Sequence, residues 1–369
     1  MSEILEDEDD TGEILEKSGK KSRGQCNFKT LDQFDEEQEY FPTGIGEIDS
    51  SVGGFPKGAI IQVAGPPGVG KTTIIIQGVI FALSRIEEKY KAAFVDFECR
   101  MQRRILRYFC KLYSVNESRV LFGRPENGEQ GGESVSCYVD DPLVPIIVVD
   151  SLKAIIPKEC IEKSIDENES QRNQARLIDR ILKSILHRVS ENGKTVICID
   201  HLKEKGKVMG KYPIMETASG ESIRFFSSAR WFILPRKKIK KTEGGITRDL
   251  GRVLLITIPK STVSPSAAIE GMTFYFCRGI SSYKWYLAKA RDMGLLHIDK
   301  VGSSKTYRIG KGEKSKVVAN NKKEMIKWIC TPGNKLWGKL IDFIIDKEKK
   351  EYSTKQKSDP EIFGMEFDE

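Results

Sequence analysis

The sequence lacks several features that would restrict its class. No stretch approaches the roughly 20 consecutive apolar residues of a membrane-spanning helix. Residues 1–10 are acidic and lack the basic and apolar regions of a signal peptide. The cysteines are scattered and include no Cys-x-x-Cys pair, which argues against a disulfide framework or a zinc site and favours a reducing compartment. We therefore expect a cytoplasmic protein with no membrane partner.

The charge is unevenly distributed along the chain. The formal net charge is +7. Residues 1–40 carry a net charge of −8 and residues 358–369 a net charge of −5, which leaves +20 for residues 41–357. A basic body between acidic ends indicates a polyanionic partner. The acidic ends either compete for the same surface or are simply solubilising.

Apolar runs alternate with helical patterns in the first two thirds of the chain. Four runs have the length and β-branching of buried strands: 59–64, 92–96, 146–150 and 196–200. Helical patterns occupy 72–88, 103–113 and 169–191. This alternation predicts an α/β fold with a mostly parallel central sheet flanked by helices. Ligands of such sheets bind at the carboxyl ends of the strands.

A phosphate-binding loop follows the first of these strands. Residues 65–72 match the G-x-x-x-x-G-K-[ST] pattern between a strand and a helix. Glycines allow backbone N–H groups to turn toward a phosphate, and the helix N-terminus adds partial positive charge. Lys71 should contact the β- and γ-phosphates of ATP, and Thr72 should bind Mg²⁺. The residues assigned to this site are Gly65, Pro66, Pro67, Gly68, Val69, Gly70, Lys71, Thr72 and Thr73.

Two carboxylates complete the predicted site. Asp150 ends an apolar strand about 80 residues after the phosphate loop, where it would face the metal. Ser151 follows it rather than Glu, so the water-activating carboxylate must come from elsewhere. Glu98, two residues beyond the strand ending at Asp96, is the best candidate general base, and an ordinary exposed Glu at a strand end is the alternative.

The chain resembles the RecA-type recombinase family over residues 41–350. The segments that carry this likeness are Phe41-Pro-Thr-Gly44 with the Gly53-Gly54 turn, the phosphate loop, Glu98, residues 147–157, residues 210–230 and a small unit at 284–347. The resemblance implies an ATPase core that binds ATP and Mg²⁺ between adjacent protomers. A bacterial, phage or other viral origin stays open, and His201 together with the short N-terminal segment that has no close match in the family favours phage.

The resemblance also implies two DNA-binding loops, near 157–171 and 203–221. The first differs from the bacterial pattern because it is acidic and has no glycine between 161 and 170. A lysine-rich second loop suits phosphates, and Met209 and Tyr212 are candidates to wedge or stack against bases; a solvated charged loop is the alternative. The candidate DNA-binding residues are Lys203, Lys205, Lys207, Met209, Lys211, Tyr212 and Arg224.

Four more assignments come from the resemblance. His201 lies where bacterial members carry a glutamine that senses the γ-phosphate. Lys260 is the candidate cation that a neighbouring protomer supplies to ATP, although bacterial members have two lysines there. Phe225 lies either at the protomer interface or in the core. Arg103 either stacks on adenine or is a helix-surface arginine.

The predicted organisation is an acidic segment (1–40) with a possible role in oligomerisation, the ATPase core (41–283), a small C-terminal α+β domain (284–350) and an acidic tail (351–369).

The predicted function is a DNA-dependent ATPase that forms helical filaments on single-stranded DNA and exchanges strands with double-stranded DNA. Single-strand-binding or mediator proteins are further candidate partners. A hexameric DNA helicase and an accessory protein without strand-exchange activity are the alternatives.

Overall fold

A computed structural model describes residues 38–162, 167–207, 213–217, 219–262, 264, 266–301, 304–310, 315–329, 336, 338–341, 343–345 and 347. The strands are β1 (Tyr40–Phe41), β2 (Phe55–Pro56), β3 (Ala59–Gly65), β4 (Ala92–Asp96), β5 (Val120–Gly123), β6 (Ile146–Asp150), β7 (Thr195–Lys207), β8 (Pro213–Thr217), β9 (Ala229–Glu243), β10 (Ile246–Ser261), β11 (Ala267–Tyr275), β12 (Gly279–Ile280), β13 (Leu296–Val301), β14 (Ser304–Ile309) and β15 (Lys316–Ala319). The α-helices are α1 (Gly46–Val52), α2 (Lys71–Leu83), α3 (Arg103–Tyr113), α4 (Gly128–Asp140), α5 (Lys158–Glu162), α6 (Glu167–Glu191), α7 (Ser222–Phe226), α8 (Tyr283–Asp292) and α9 (Lys322–Ile329).

One large sheet organises the described residues. Its strand order is β12-β11-β10-β9-β3-β7-β6-β4-β5, and β8 pairs with β7 beside this path. The six strands from β9 to β5 are parallel, whereas β9, β10, β11 and β12 pair antiparallel. The chain therefore crosses from β3 over β7 and β6 to reach β4. The carboxyl ends of β3, β4, β6 and β7 consequently meet at one edge of the sheet. The α/β class and the mostly parallel core are confirmed.

Alternating side chains of the parallel strands pack on both faces of the sheet. Ile61, Val148 and Ile197 join a core cluster with α1, α2 and α3. Ile60, Ile147 and Val196 face the opposite cluster, which is formed with α4 and α6. Strands buried on both faces require continuous apolar sequence. This requirement explains why these strands were recognisable as short apolar runs.

Helix lengths differ from the expected ones at several points. The helix after the phosphate loop ends at Leu83 rather than near residue 88. Helix α4 and the edge strand β5 were not anticipated. None of the helices in the described ranges is long and apolar enough to cross a bilayer.

The basic stretch 236–241 lies inside a strand. It belongs to β9, which pairs with β10 as far as the Ile246–Glu243 register position. Gly244 and Gly245 form the turn with φ values of +56° and +79°. Two consecutive left-handed residues match the twist of paired strands, which is why a Gly-Gly pair closes this hairpin.

A separate three-stranded sheet lies near the carboxyl end of the described chain. Strands β13, β14 and β15 pair antiparallel in that order. Tyr307 and Ile309 pack with Tyr286 of α8 and with Phe81 of α2 in a separate apolar cluster. Strands β13 and β14 form a hairpin. The domain boundaries drawn from the sequence stay predictions.

Arg119 holds the chain that leaves helix α2. Its guanidinium donates hydrogen bonds to four backbone carbonyl oxygens, with distances of 2.9 Å to Leu83, 3.4 Å to Ile86, 2.9 Å to Glu87 and 2.8 Å to Tyr90. The side chain is buried. Cations at a helix C-terminus also interact favourably with the helix dipole.

Arg119→Ala is expected to lower the free energy of unfolding by about 2–4 kcal/mol, because several partly buried carbonyls lose a charged donor. Chemical denaturation measures the change. Arg107→Ala is the matched control, since the exposed Arg107–Glu117 pair (3.1 Å) should contribute less than about 1 kcal/mol. Equal losses for the two variants would contradict the structural role of Arg119.

Candidate nucleotide-binding site and adjoining hairpin

The phosphate loop connects β3 to α2 at the carboxyl edge of the sheet. Gly68 and Gly70 have φ values of +68° and +103°, a region that disfavours side chains. A Cβ atom at Gly70 would lie 2.3 Å from the ring of Phe274. Val69 points into the core, whereas Pro67 and Gly68 are exposed. The loop thus presents its backbone at the N-terminus of a 13-residue helix, as a phosphate cradle requires.

Lys71 and Thr72 lie at the first positions of α2. The Lys71 ammonium donates hydrogen bonds to the carbonyl oxygens of Gly65 (2.9 Å) and Pro66 (3.2 Å). Burial lowers the pKa of Lys71, and the negative charge of Asp150 opposes this effect. The positive charge is therefore fixed at the loop, where phosphate oxygens would lie.

Asp150 meets Thr72 across 78 residues of sequence. The Thr72 hydroxyl donates a 2.7 Å hydrogen bond to Asp150 Oδ2. Burial raises the pKa of Asp150 to about 7, although the Thr72 hydrogen bond works in the opposite direction. A buried carboxylate with a raised pKa binds a cation readily, because the cation removes the cost of burying the negative charge.

A hydroxyl and a carboxylate are suitable oxygen ligands for Mg²⁺, which usually takes few protein ligands together with phosphates and water. Consistent with this, the described residues contain no cluster of three or more His, Cys, Asp or Glu side chains arranged for a metal. Thr72 and Asp150 therefore fit the divalent cation of a nucleotide complex.

Glu98 and His201 are in direct contact. The His201 Nε2 atom lies 2.8 Å from Glu98 Oε1, and the Ser151 hydroxyl donates a 2.6 Å hydrogen bond to the same oxygen. Burial acts to raise the pKa of Glu98, but the hydrogen bonds from His201 and Ser151 outweigh it and the pKa is lowered. Glu98 is therefore an ionised, oriented carboxylate.

Ser151 was not expected to take part. In the sequence, Ser151 only occupies the position after Asp150 at which a Glu could have supplied the water-activating carboxylate. Its role depends on β6 lying beside β4, which brings residue 151 to Glu98. Predicting the contact between Ser151 and Glu98 requires the order of strands in the sheet, which the sequence did not specify.

The range 203–221, predicted as a DNA-binding loop, is largely a hairpin in the described residues. Strand β7 continues past His201 to Lys207, and β8 returns antiparallel to it, with Leu202 opposite Thr217 and Lys203 opposite Glu216. Lys205 also lies in β7. Met209, Lys211 and Tyr212 lie outside the described residues.

The range 157–171, predicted as the other loop, is helical in its described residues from Lys158 onward. It contains α5 and the start of α6, and residues 163–166 lie outside the described part. Glutamate and lysine are good helix formers and the stretch has no glycine. The same composition that departs from the family pattern therefore accounts for helix in place of loop.

The remaining candidate residues are described by contacts with residues outside the phosphate loop. Lys260 donates hydrogen bonds to the carbonyl oxygens of Arg224 (2.8 Å) and Phe225 (3.4 Å) at the end of α7. Phe225 is 72% exposed, so the core alternative is wrong and an interface role stays a prediction. The Arg103 guanidinium lies 5.8 Å from the centroid of the Phe122 ring on the protein surface. Its role in adenine binding stays a prediction.

Comparison with known proteins agrees with this geometry. The family model for the RecA N-terminal domain matches residues 13–281. The chain therefore belongs to the RecA family, and its central fold is the RecA-like α/β core.

Among individual proteins, the chain is similar to Protein RecA of Lactococcus lactis subsp. cremoris (strain MG1363), with 30% identity over 274 residues, 73% of this chain and 68% of the relative. It is 28% identical to the chromosomal Protein RecA of Lactococcus lactis subsp. lactis (strain IL1403) over 313 residues, 84% of this chain and 78% of the relative. Protein RecA of Malacoplasma penetrans (strain HF-2) is 30% identical over 275 residues, 74% of this chain and 79% of the relative.

Proposed function

We propose that this chain is an ATP-dependent DNA recombinase that forms helical filaments on single-stranded DNA and pairs it with homologous duplex DNA. The observation that carries the proposal is the 2.8 Å contact between Glu98 and His201. It joins a candidate general base to the strand that continues directly into the lysine-bearing β7–β8 hairpin. The same strand, β7, would thus carry both a residue of the hydrolytic site and residues that contact DNA.

In this proposal the phosphate loop binds the triphosphate of ATP, and Lys71 neutralises charge on its terminal phosphates. Thr72 and Asp150 hold Mg²⁺, which when bound neutralises phosphate charge. Glu98 orients and deprotonates the attacking water. His201 and Ser151 keep the Glu98 carboxylate oriented and ionised.

Binding to DNA would use the basic hairpin and the basic body of the chain. Lys203, Lys205 and Lys207 would neutralise DNA phosphates, so affinity should fall steeply with added salt. Lys260 and Phe225 would act at the contact between neighbouring protomers. ATP then serves mainly as a conformational switch: its binding favours the DNA-gripping state, and hydrolysis releases the DNA. A cytoplasmic location beside the chromosome belongs to the same proposal.

Three assays test the proposal in sequence. ATP hydrolysis by the full chain should be slow alone and accelerate about 5- to 150-fold with single-stranded DNA, because coupling free energies in such switches are typically about 1–3 kcal/mol. Electron microscopy with ATP and single-stranded DNA should show long helical filaments; closed rings would indicate a helicase. A strand-exchange assay then separates a recombinase from an accessory protein, since filaments without strand exchange would contradict the recombinase assignment.

A further inference from the structure

Asp200 is a buried carboxylate that the phosphate site does not use. It lies in the buried part of β7 and is 0% exposed. Its Oδ1 atom accepts hydrogen bonds from the Ser219 hydroxyl (2.7 Å) and the His201 backbone N–H (2.7 Å). Its Oδ2 atom accepts from the Gln62 amide (2.9 Å). Burial of a carboxylate is costly, so a side chain bonded on both oxygens indicates a specific role.

The donors come from three separate parts of the site. His201 and Ser219 bracket the β7–β8 hairpin, so one carboxylate holds both ends of that hairpin. Gln62 lies on β3, the strand that leads into the phosphate loop. Its side-chain oxygen accepts a 2.7 Å hydrogen bond from Arg230 of β9. Arg230 lies opposite Lys260 in the β9–β10 register.

Each hydrogen bond in this set has a fixed donor and a fixed acceptor. A carboxylate only accepts hydrogen bonds and a guanidinium only donates them. The Gln62 side chain can serve both only when its oxygen faces Arg230 and its amide nitrogen faces Asp200. The chain Arg230–Gln62–Asp200–Ser219 therefore has one satisfied orientation, which makes the position of the hairpin ends dependent on strands β3 and β9.

We propose that Asp200 is a positioning residue that ties both ends of the β7–β8 hairpin to the phosphate-site strands, so that changes at the Glu98–His201 contact reach the hairpin. The inference rests on the proposed function for its DNA-dependent part. Its structural part, the anchoring of the hairpin ends, stands independently of DNA.

The fixed donor and acceptor roles allow the hydrogen-bond chain to be tested by substitution. Asp200→Asn keeps an acceptor for Ser219 and His201 but places a donor against the Gln62 amide. Turning the Gln62 amide over only moves the conflict to Arg230. Gln62→Glu places two carboxylates side by side. The double variant D200N/Q62E restores a complete chain in which only the bond between positions 200 and 62 is reversed, because the new amide at position 200 donates to a carboxylate at position 62 that also accepts from Arg230.

The first measurement is backbone hydrogen exchange of the full-length protein without DNA. Amides of residues 201–207 and 213–219 should exchange about tenfold faster in each single variant, the effect of one lost buried hydrogen bond, and return to within about threefold of wild type in the double variant. Asp140→Asn, a partly exposed position paired with Arg188, is the matched control. Unchanged exchange in both single variants would overturn the anchoring role.

The second measurement is ATP hydrolysis with and without a single-stranded thymidine oligonucleotide. The DNA-stimulated rate should fall about tenfold in each single variant and recover in the double variant, while the DNA-independent rate stays within about twofold. If wild type itself shows no stimulation, the proposed function is wrong and hydrogen exchange still decides the anchoring role. If DNA stimulates hydrolysis by the wild type and by the single variants equally, Asp200 does not couple the two sites. The same conclusion holds if hydrogen exchange recovers in the double variant but the stimulation of hydrolysis by DNA does not.

Discussion

Replacing Lys71 with alanine is expected to lower the rate of DNA-stimulated ATP hydrolysis by about 100- to 1000-fold, the range typical for losing one preorganised charge-stabilising donor. The ammonium is buried and held at the loop by Gly65 and Pro66. Its charge is therefore available to a transferring phosphoryl group without reorganisation. Steady-state hydrolysis at saturating ATP measures the loss.

Two further variants interpret this result. Lys71→Arg keeps a positive charge but replaces a compact ammonium with a broad planar group, so nucleotide binding should survive better than hydrolysis. Lys89→Ala removes an exposed lysine that pairs with Glu87 and lies over the Tyr90 ring, and it should leave the rate unchanged. Near-normal hydrolysis by a folded Lys71→Ala protein would exclude the phosphate-loop role.

Glu98→Gln is expected to reduce hydrolysis by about 100- to 10,000-fold, the usual contribution of a general base, while nucleotide binding persists. The amide oxygen can still accept the hydrogen bonds from Ser151 and His201, so the local structure should be retained. Because hydrolysis would release DNA, the variant should also form longer-lived complexes with single-stranded DNA. Single-turnover kinetics and filament lifetimes measure the two effects.

Glu117→Gln is the matched control, since Glu117 is exposed and pairs with Arg107 on the surface. The acidic limb of the wild-type pH profile supplies an independent check. The pKa of Glu98 is lowered by its hydrogen bonds, so the base should stay ionised until the pH falls below the ordinary glutamate range. A Glu98→Gln protein that hydrolyses ATP at the wild-type rate would require a different base.

Helix α4 illustrates what sequence patterns missed. It contains Gly131 and Gly132, which lower helix propensity and obscure the helical signal. A Cβ atom at Gly131 would lie 2.1 Å from the Phe97 ring, and one at Gly132 would lie 2.8 Å from Ile181. The glycines therefore serve close packing against neighbouring elements. Tertiary contacts override local propensity at this helix.

The β7–β8 hairpin shows a second limit. The family resemblance placed a lysine-rich DNA-binding loop here, but β7 continues along this segment and pairs with β8. Residues 203–207 include no apolar residue, so the segment lacks the periodicity by which strands are recognised. The resemblance located the segment, and pairing determined its conformation.

The sequence by itself determined the phosphate loop, Asp150 and the buried strands, because these depend on local residue order and on continuous apolar runs. It also pointed to Glu98 through its position after a strand, and the family resemblance pointed to His201. Only the tertiary structure decided that Glu98, Ser151 and His201 meet, that Lys260 bonds to the end of α7, and that Asp200 joins Gln62 to Ser219. The physical reason is that hydrogen bonds require donors and acceptors within about 3 Å, and the strand order that brings distant residues to that distance is set by packing of the whole sheet.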